Sequence, residues 1–306
     1  AQTFFNTENR EYVIIDAPGH KEFLKNMITG ASQAEAAVLL VDAAEGIREQ
    51  TQRHAFLISL LGLDQVIVVI NKMDLEDYSE EKYQNIKTDL KVFLDKINIH
   101  PDYIIPISAK KGDNVSNRSK NMDWYDGKTF LEALDSFQNL PSSEEKPLRF
   151  PVQDTYEIDG KKILAGRVEA GRLKAGADII FVPSREEARV KTVEEFLVDD
   201  KKEAVAGEST GITIEPDKDI RRGDVASLPG EEPPVSDKFK ASVFWMSPQG
   251  LDIKEKLTFK CSTEEVPVRI EKIEERINSS TLEILEKDAS RLEDTEVGEL
   301  VLSTEK

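Results

Sequence analysis

Three short polar segments each follow an apolar run, and their residue types suit the binding of a nucleotide. "DAPGH" occupies residues 16–20, "NKMD" residues 71–74 and "SAKKG" residues 108–112. In the second segment, the Asp74 carboxylate can accept hydrogen bonds from the N1–H and 2-amino groups of a guanine, and bonds to a charged group contribute roughly 1.5–3 kcal/mol each. Adenine presents a bare N1 acceptor at that edge and would leave the acid unpaired, so such a site rejects it.

The neighbours of this acid are expected to shape the same pocket. The stem of Lys72 can lie along the base, and Asn71 can tie adjacent loops together. In the third segment, Ser108 can brace its loop while the backbone N–H of Ala109 donates to the guanine O6. The predicted base-binding set is Asn71, Lys72, Met73, Asp74, Ser108, Ala109 and Lys110.

The "DAPGH" segment has the residue types for the phosphate end of a nucleotide. Asp16 is expected to hold Mg²⁺ through a water molecule, and the N–H of Gly19 to meet the γ-phosphate, because a Cβ there would keep the backbone away from the phosphate. His20 is the predicted catalytic residue, since it would lie where the hydrolytic water must be oriented. Ala17 and Pro18 complete the predicted nucleotide-binding set.

Alternating strand and helix patterns over the first 140 residues must position these segments. Apolar, β-branched runs predict strands covered on both faces, as in a parallel sheet, at 11–16, 36–43, 65–72 and 103–109, with "AQTFF" at the start also extended. Helical patterns lie at 20–33, 48–62, 79–97 and 129–137. This order predicts a doubly wound α/β domain, in which ligands bind beyond the carboxyl ends of the strands.

The remainder of the chain has a different pattern. After the linker "LPSSEEKP" (140–147), short strands alternate with turn signals as far as a second linker at 228–237, and strand patterns resume beyond it. The predicted domains are 1–142 for nucleotide binding, 147–230 for a β-barrel and 235–306 for a further, partial β-barrel.

Composition restricts the function classes. The 306 residues carry a net charge of −18, which disfavours binding to nucleic acid because that binding usually depends on clustered Lys and Arg. Apolar runs are too short to cross a bilayer, and no secretion signal is visible. The lone Cys261 makes no internal disulfide and fits a reducing compartment, so a cytoplasmic location is expected.

Taken together, the three segments resemble the third, fourth and fifth guanine-nucleotide motifs of the translation-factor class of GTPases. "GRVEAG" (166–171), "AGESTGI" (206–212) and "DIRRGDV" (219–225) are similar to the β-barrel second domain of that family. The resemblance implies an α/β fold with a doubly wound P-loop-type GTPase domain followed by two β-barrel domains. It also implies GTP or GDP as ligand, with Mg²⁺.

One motif of that family is missing from the chain. "DGKT" (126–129) does not qualify as the phosphate loop G-x-x-x-x-G-K-[ST], because position 122 is Met and no buried strand precedes it. The first strand, the P-loop and the first switch of the family are therefore expected to precede Ala1, and the third domain to be incomplete. On this reasoning the 306-residue chain should bind Mg·GTP far more weakly than a longer parent.

Within the class, the chain looks closer to the large, GTP-hydrolysing subunit of bacterial sulfate adenylyltransferase than to the elongation factors. The stretches that carry this likeness are 71–83, 112–134, 148–154 and "VFWMSPQGLDI" at 243–253. It implies a heterodimer with a smaller catalytic subunit that makes adenosine 5′-phosphosulfate from ATP and sulfate, helped by GTP hydrolysis. Two alternatives remain open: a translation factor that binds aminoacyl-tRNA, and a scaffold that does not hydrolyse GTP.

Overall fold

The computed structural model describes residues 2–16, 24–31, 34–139, 142–158, 160–196, 198 and 200–304. These residues form two compact units. The first comprises Ala1–Asn139, Ser242–Asp252 and Ile273–Glu299, and the second comprises Leu140–Ala241, Ile253–Lys272 and Leu300–Lys306. Residues 235–306, predicted as one domain, are therefore shared between the two units.

The helices are α1 (Leu24–Ala31), α2 (Glu49–Leu60), α3 (Glu80–Lys96) and α4 (Phe130–Leu134), with 3₁₀ turns at Met73–Leu75 and Ser143–Glu145. The strands of residues 1–139 are β1 (Gln2–Asn6), β2 (Glu11–Ile15), β3 (Ala37–Asp42), β4 (Val66–Asn71) and β5 (Tyr103–Pro106). The next are β6 (Phe150–Ile158), β7 (Lys161–Arg167), β8 (Arg172–Lys174), β9 (Asp178–Val182), β10 (Glu186–Glu194), β11 (Glu203–Val205), β12 (Ser209–Glu215) and β13 (Val225–Ser227). The last are β14 (Lys238–Phe244), β15 (Leu251–Asp252), β16 (Lys256–Cys261), β17 (Glu264–Asn278), β18 (Ile284–Ala289), β19 (Arg291–Leu292) and β20 (Glu296–Thr304).

A parallel sheet in the order β3-β4-β5 forms the centre of the first unit. The central strand β4 is covered on both faces, and its five apolar residues are all buried. Helix α3 packs one side of the core through Tyr83, Leu90 and Leu94, and α4 packs the other through Ala133 and Leu134.

Local signals in the sequence fix where these helices begin. The Ser79 side chain caps α3 by accepting the N–H of Lys82 at 3.2 Å. Thr129 and Glu132 form a reciprocal capping box at the start of α4. Capped starts place the loops before α3 and α4 at defined points, and those loops contain the candidate site.

The antiparallel hairpin β1–β2 is attached to the sheet by side chains. Among the described residues, β2 forms a ladder only with β1, so the strand predicted at 11–16 is present but is not part of the parallel sheet. Phe5 and Tyr12 stack on each other and pack against the cluster that contains α4. Asp135 then accepts hydrogen bonds from the hydroxyls of Thr7 (2.8 Å) and Tyr12 (2.6 Å) and from the amide of Asn9 (3.0 Å). This carboxylate therefore sets the position of the hairpin whose second strand leads to residue 16.

Asp135→Asn is expected to loosen that attachment. Burial, with the Asp135 carboxylate beside it, raises the pKa of Tyr12 to about 12, and the Tyr12 hydroxyl lowers the pKa of Asp135. In the variant the pKa of Tyr12 should fall towards its ordinary value, as read from phenolate absorbance. Unfolding should become easier by about 1–2 kcal/mol, because hydrogen bonds to a charge are exchanged for neutral ones.

The wild-type contribution has a defined pH window. It should be present above the ordinary pKa of an aspartate and be lost as pH falls through the lowered pKa of Asp135. Asp89→Asn, on an exposed face of α3, is the control and should change stability by less than about 0.5 kcal/mol. Equal stability of both variants at neutral pH would contradict a stabilising role for the hydrogen bonds that Asp135 accepts from the hairpin.

Helix α2 brings a buried cation into the first unit. Arg53 is 7% exposed, and its guanidinium contacts Glu49 at 2.5 Å, the Ser280 hydroxyl at 3.0 Å and the Ser279 hydroxyl at 3.3 Å. A buried charge is tolerated because several partners satisfy it. These bonds explain why residues 273–299 belong to the same unit as α2.

The second unit is built around a closed barrel in the order β10-β12-β7-β6-β13-β9. Phe150, Leu164 and Phe181 fill its interior and are fully buried. Later in the sequence, strands β14, β20, β17 and β16 pair in that order and β18 pairs with β17. The predicted α/β domain followed by β-structure is confirmed, with strand and helix ends mostly within two residues of the predicted ones. The domain boundaries themselves remain a prediction.

Candidate guanine-nucleotide site

The ends of neighbouring strands bring the second and third polar segments together. Asn71 is the last residue of β4, and the N–H of Met73 two residues later donates to the carbonyl of Ile107 at 3.1 Å. The N–H of Ile107 in turn donates to the Ile70 carbonyl at 2.8 Å. Residues 71–74 and 108–110 therefore lie side by side at the carboxyl edge of the sheet, as the strand pattern predicted.

Asp74 is half-buried and held by a serine hydroxyl. The Oγ of Ser108 donates to Asp74 Oδ1 at 2.6 Å, and Ser108 is fully buried. The same Oγ accepts the N–H of Lys111 at 3.2 Å, which fixes the loop. The bracing role predicted for Ser108 is thus seen in the structure, and it orients the carboxylate. Among the described residues, none donates a hydrogen bond to Asp74 Oδ2.

Asn71 ties the two segments together. Its side-chain oxygen accepts the N–H of Lys72 at 2.7 Å and the N–H of Ala109 at 3.0 Å. The sequence prediction assigned the Ala109 N–H to a guanine O6, but in the structure Asn71 accepts that bond. A base carbonyl would have to share or replace it. The tying role expected of Asn71 is present, and donation from the Ala109 N–H to a guanine O6 stays a prediction.

Lys72 is held by an acid that the sequence reasoning did not include. Its backbone is left-handed, with φ of 67°, and its Nζ lies 2.5 Å from Asp42 Oδ2. A hydrogen bond from Lys72 lowers the pKa of Asp42, and the same bond raises the pKa of Lys72. The signal was available, because Asp42 ends the apolar run "VLLVD" and parallel strand ends share one edge.

A second layer of contacts supports the site from the loop after residue 110. The Tyr78 hydroxyl donates to Asp113 at 3.0 Å, and the Trp124 indole donates to the Tyr78 carbonyl at 3.0 Å. Asn114, which is buried, donates to the Pro106 carbonyl at 2.9 Å. The sequence analysis included the loop after residue 110 only among the stretches that carry a family likeness. Hydrogen bonds between residues so far apart in the sequence leave no periodic pattern that would predict them.

The phosphate end of the predicted site is only partly described. Asp16 is exposed and directly follows β2. Ala17, Pro18, Gly19 and His20 lie outside the described residues, so their predicted roles stay predictions. Within the described ranges, no group of three or more His, Cys, Asp or Glu side chains is arranged to hold a metal ion. In the same ranges no helix is both long and apolar enough to cross a membrane.

Comparisons with known families assign each part of the chain to one class. Residues 1–140 match the elongation factor Tu GTP binding domain, residues 162–227 match elongation factor Tu domain 2, and residues 238–306 match the GTP-eEF1A C-terminal domain-like family. The GTPase domain is thus followed by two domains of the β-barrel type.

Individual relatives agree with this assignment. Elongation factor 1-alpha of Methanopyrus kandleri is 40% identical over 98% of this chain and 74% of that protein. Sulfate adenylyltransferase subunit 1 of Pseudoalteromonas atlantica is 38% identical over 97% of this chain and 63% of that protein. The crystal structure of sup35 complexed with GDP has the same fold, with a TM-score of 0.51, 24% identity and coverage of 99% of this chain and 76% of that one. The chain belongs to the elongation factor Tu and 1-alpha family, the translation-factor class of GTPases.

Proposed function

We propose that the chain recognises the guanine base of GTP and GDP through Asp74. The observation that carries this proposal is the carboxylate fixed by Ser108 at the end of β4, next to Asn71 and the 108–110 loop. A fixed, half-buried acceptor pairs with N–H groups without reordering, and it would be left unpaired by adenine. The rest of the predicted base-binding set, Lys72, Met73, Ala109 and Lys110, would border the same base.

For the phosphate end, the proposal follows the family motif at residues 16–20. Asp16 would hold Mg²⁺ through water, and the bound ion would neutralise phosphate charge. Ala17, Pro18 and Gly19 would bring a backbone N–H to the γ-phosphate, and His20 would orient the attacking water. In a form of the protein that turns over GTP, exchange of His20 for alanine should lower the rate of phosphate release by roughly 10²- to 10⁴-fold and leave GDP affinity unchanged.

For the cellular role, we propose the GTPase subunit of a sulfate adenylyltransferase. The likeness to subunit 1 of that enzyme extends over 97% of this chain, and the net charge of −18 supports a protein partner over RNA. GTP hydrolysis would then help a smaller catalytic subunit to form adenosine 5′-phosphosulfate and pyrophosphate from ATP and sulfate, which is an uphill reaction. Sulfate assimilation is the process in which that activity belongs.

The barrel surface supports the same choice. Several cations of the second unit are paired with carboxylates, which reduces their attraction for phosphates. The pairs are Arg172 with Glu144 and Glu203, Arg189 with Asp178, Lys201 with Glu195 and Glu208, Lys218 with Glu186, and Arg221 with Asp219. A surface that binds the tRNA backbone needs unpaired Lys and Arg in clusters.

The second candidate is a factor that binds aminoacyl-tRNA. It is favoured by the 40% identity to an archaeal elongation factor 1-alpha over 98% of this chain. One experiment separates the candidates: the protein is purified from its own cells by an affinity tag, and the bound material is analysed for RNA and for a small ATP-sulfurylase subunit.

Co-purification of the small subunit, with adenosine 5′-phosphosulfate synthesis that GTP stimulates and GDP does not, supports the proposed role. Bound tRNA that salt displaces supports the translation factor. A guanine-nucleotide complex with neither partner and no turnover would identify the non-hydrolysing scaffold and overturn both.

A further inference from the structure

Asp42 lies at the end of β3, directly across the parallel ladder from the nucleotide motif. Its register partner is Asn71, and the N–H of Ala43 donates to the Asn71 carbonyl at 2.8 Å. The carboxylate is itself anchored, because Oδ1 accepts the N–H of Ala44 at 2.8 Å. Oδ2 lies 2.5 Å from the Nζ of Lys72. The acid is thus a fixed acceptor on a rigid strand end.

Both ends of Lys72 are restrained. Its N–H donates to the Asn71 side chain, and its backbone adopts the left-handed conformation. A lysine stem is flexible and would otherwise sample many rotamers. With the ammonium held by Asp42, the methylene stem has to run along the sheet edge between the ends of β4 and β3. Asp74 lies two residues further along the same segment.

We propose that Asp42 is a positioning residue of the nucleotide site, which holds the Lys72 ammonium so that the lysine stem lies against one face of the guanine base. This inference rests on the proposed guanine binding. Asp42 itself need not touch the nucleotide, because it acts through Lys72. The pKa directions of the two groups agree with the geometry, since each stabilises the charged form of the other.

The position of the pair makes it more than an ordinary surface salt bridge. The Asp42 side chain is only 20% exposed, whereas that of Lys72 is 54% exposed. A pair between two mobile, exposed chains contributes little, but here one partner is already fixed by backbone bonds. The contribution should therefore appear in the affinity for the base. Because the contact is with the base, it should be the same for guanosine, GDP and GTP.

The test compares Asp42→Asn with the matched control Glu45→Gln. Glu45 is an exposed acid near the same lysine, and its carboxylate lies 3.8 Å from the Nε of Arg48. Affinities for guanosine, GDP and GTP are measured by amide NMR titration, which reads millimolar binding. Asp42→Asn should weaken all three by about fivefold, the factor for roughly 1 kcal/mol, and Glu45→Gln by less than about twofold.

Two further readouts separate positioning from a general loss of structure. Side-chain NMR should show that the pKa of Lys72 falls in Asp42→Asn. In a Lys72→Ala background, Asp42→Asn should have no further effect on affinity, because its only route to the base is gone. Asp42→Glu should restore part of the binding.

The experiment distinguishes a failure of the Asp42 inference from a failure of the proposed guanine binding. Wild-type affinity in Asp42→Asn, or an undiminished loss in the Lys72→Ala background, would overturn the inference and leave guanine binding standing. No saturable binding by the wild-type chain would overturn the proposed function and this inference with it.

Discussion

Asp74→Asn is expected to exchange a preference for guanine for a preference for xanthine. Guanine loses two hydrogen bonds to a carboxylate, and its 2-amino group then faces the amide of the introduced asparagine. Affinity for GDP should fall by roughly 10²- to 10⁴-fold, the factor that corresponds to two such bonds. Xanthine carries a carbonyl at C2, which can accept a hydrogen bond from the NH₂ of the introduced asparagine. The N1–H of xanthine can donate to the oxygen of the same asparagine side chain. Affinity for the xanthine nucleotide should therefore rise.

Ser108 makes this exchange feasible without refolding, because its hydroxyl can donate to the amide oxygen as it does to the acid. Asp77→Asn is the control: Asp77 is exposed and has a positive φ of 48°, which asparagine tolerates. It should leave both affinities unchanged. Binding is measured with GDP and xanthosine diphosphate on the two variants. An equal loss for both nucleotides in Asp74→Asn would mean that the acid has a structural role and does not select the base.

Gly171→Ala is expected to destabilise the second unit by about 3 kcal/mol. The φ of Gly171 is +76°, and an added Cβ would lie 2.6 Å from the Cα of Leu148 and 2.9 Å from the Lys146 carbonyl. These are backbone atoms, so no side-chain rotation relieves the clash. The Gly171 N–H also donates to the Ser143 carbonyl at 2.7 Å, and this bond fixes the segment that enters the barrel.

Gly176→Ala is the control that separates the cost of a left-handed backbone from the cost of a steric clash. Gly176 has a φ of +85°, but nothing lies within 4 Å of an added Cβ. The variant should therefore lose only about 1–2 kcal/mol of folding stability, because an alanine is placed in the left-handed conformation. Amide hydrogen exchange is measured separately in the barrel and in the β3-β4-β5 sheet, and it shows which of the two loses protection. Equal effects of the two variants, or a loss of protection spread evenly over both units, would contradict the clash.

The elements around the site could be predicted because each has a local signal. The apolar run of β4 and the serine cap of α3 specify their own structures, and together they fix where residues 71–74 lie. The chemistry of Asp74 followed from its residue type and its place at a strand end. The same argument placed Ser108 next to it.

What the sequence could not provide depends on pairing between distant residues. The Asp42–Lys72 pair arises from the register of two parallel strands. The hydrogen bond from Tyr12 to Asp135 joins residues more than 120 apart in the sequence. The bond from the Ala109 N–H to the Asn71 side chain depends on which acceptor lies nearest in the folded loop, and residue types alone do not decide that. The division of residues 235–306 between two units similarly follows from contacts such as those of Arg53 with Ser279 and Ser280.

The most direct measurement titrates the wild-type chain with GDP, inosine diphosphate and ADP under one set of conditions. Inosine retains N1–H but lacks the 2-amino group, and adenine lacks both donors to the carboxylate. Affinity should decrease in steps from GDP to inosine diphosphate to ADP, and the amide signals of residues 71–74 and 108–110 should shift. Equal affinities for the three, or shifts confined to other parts of the chain, would contradict recognition of guanine by Asp74.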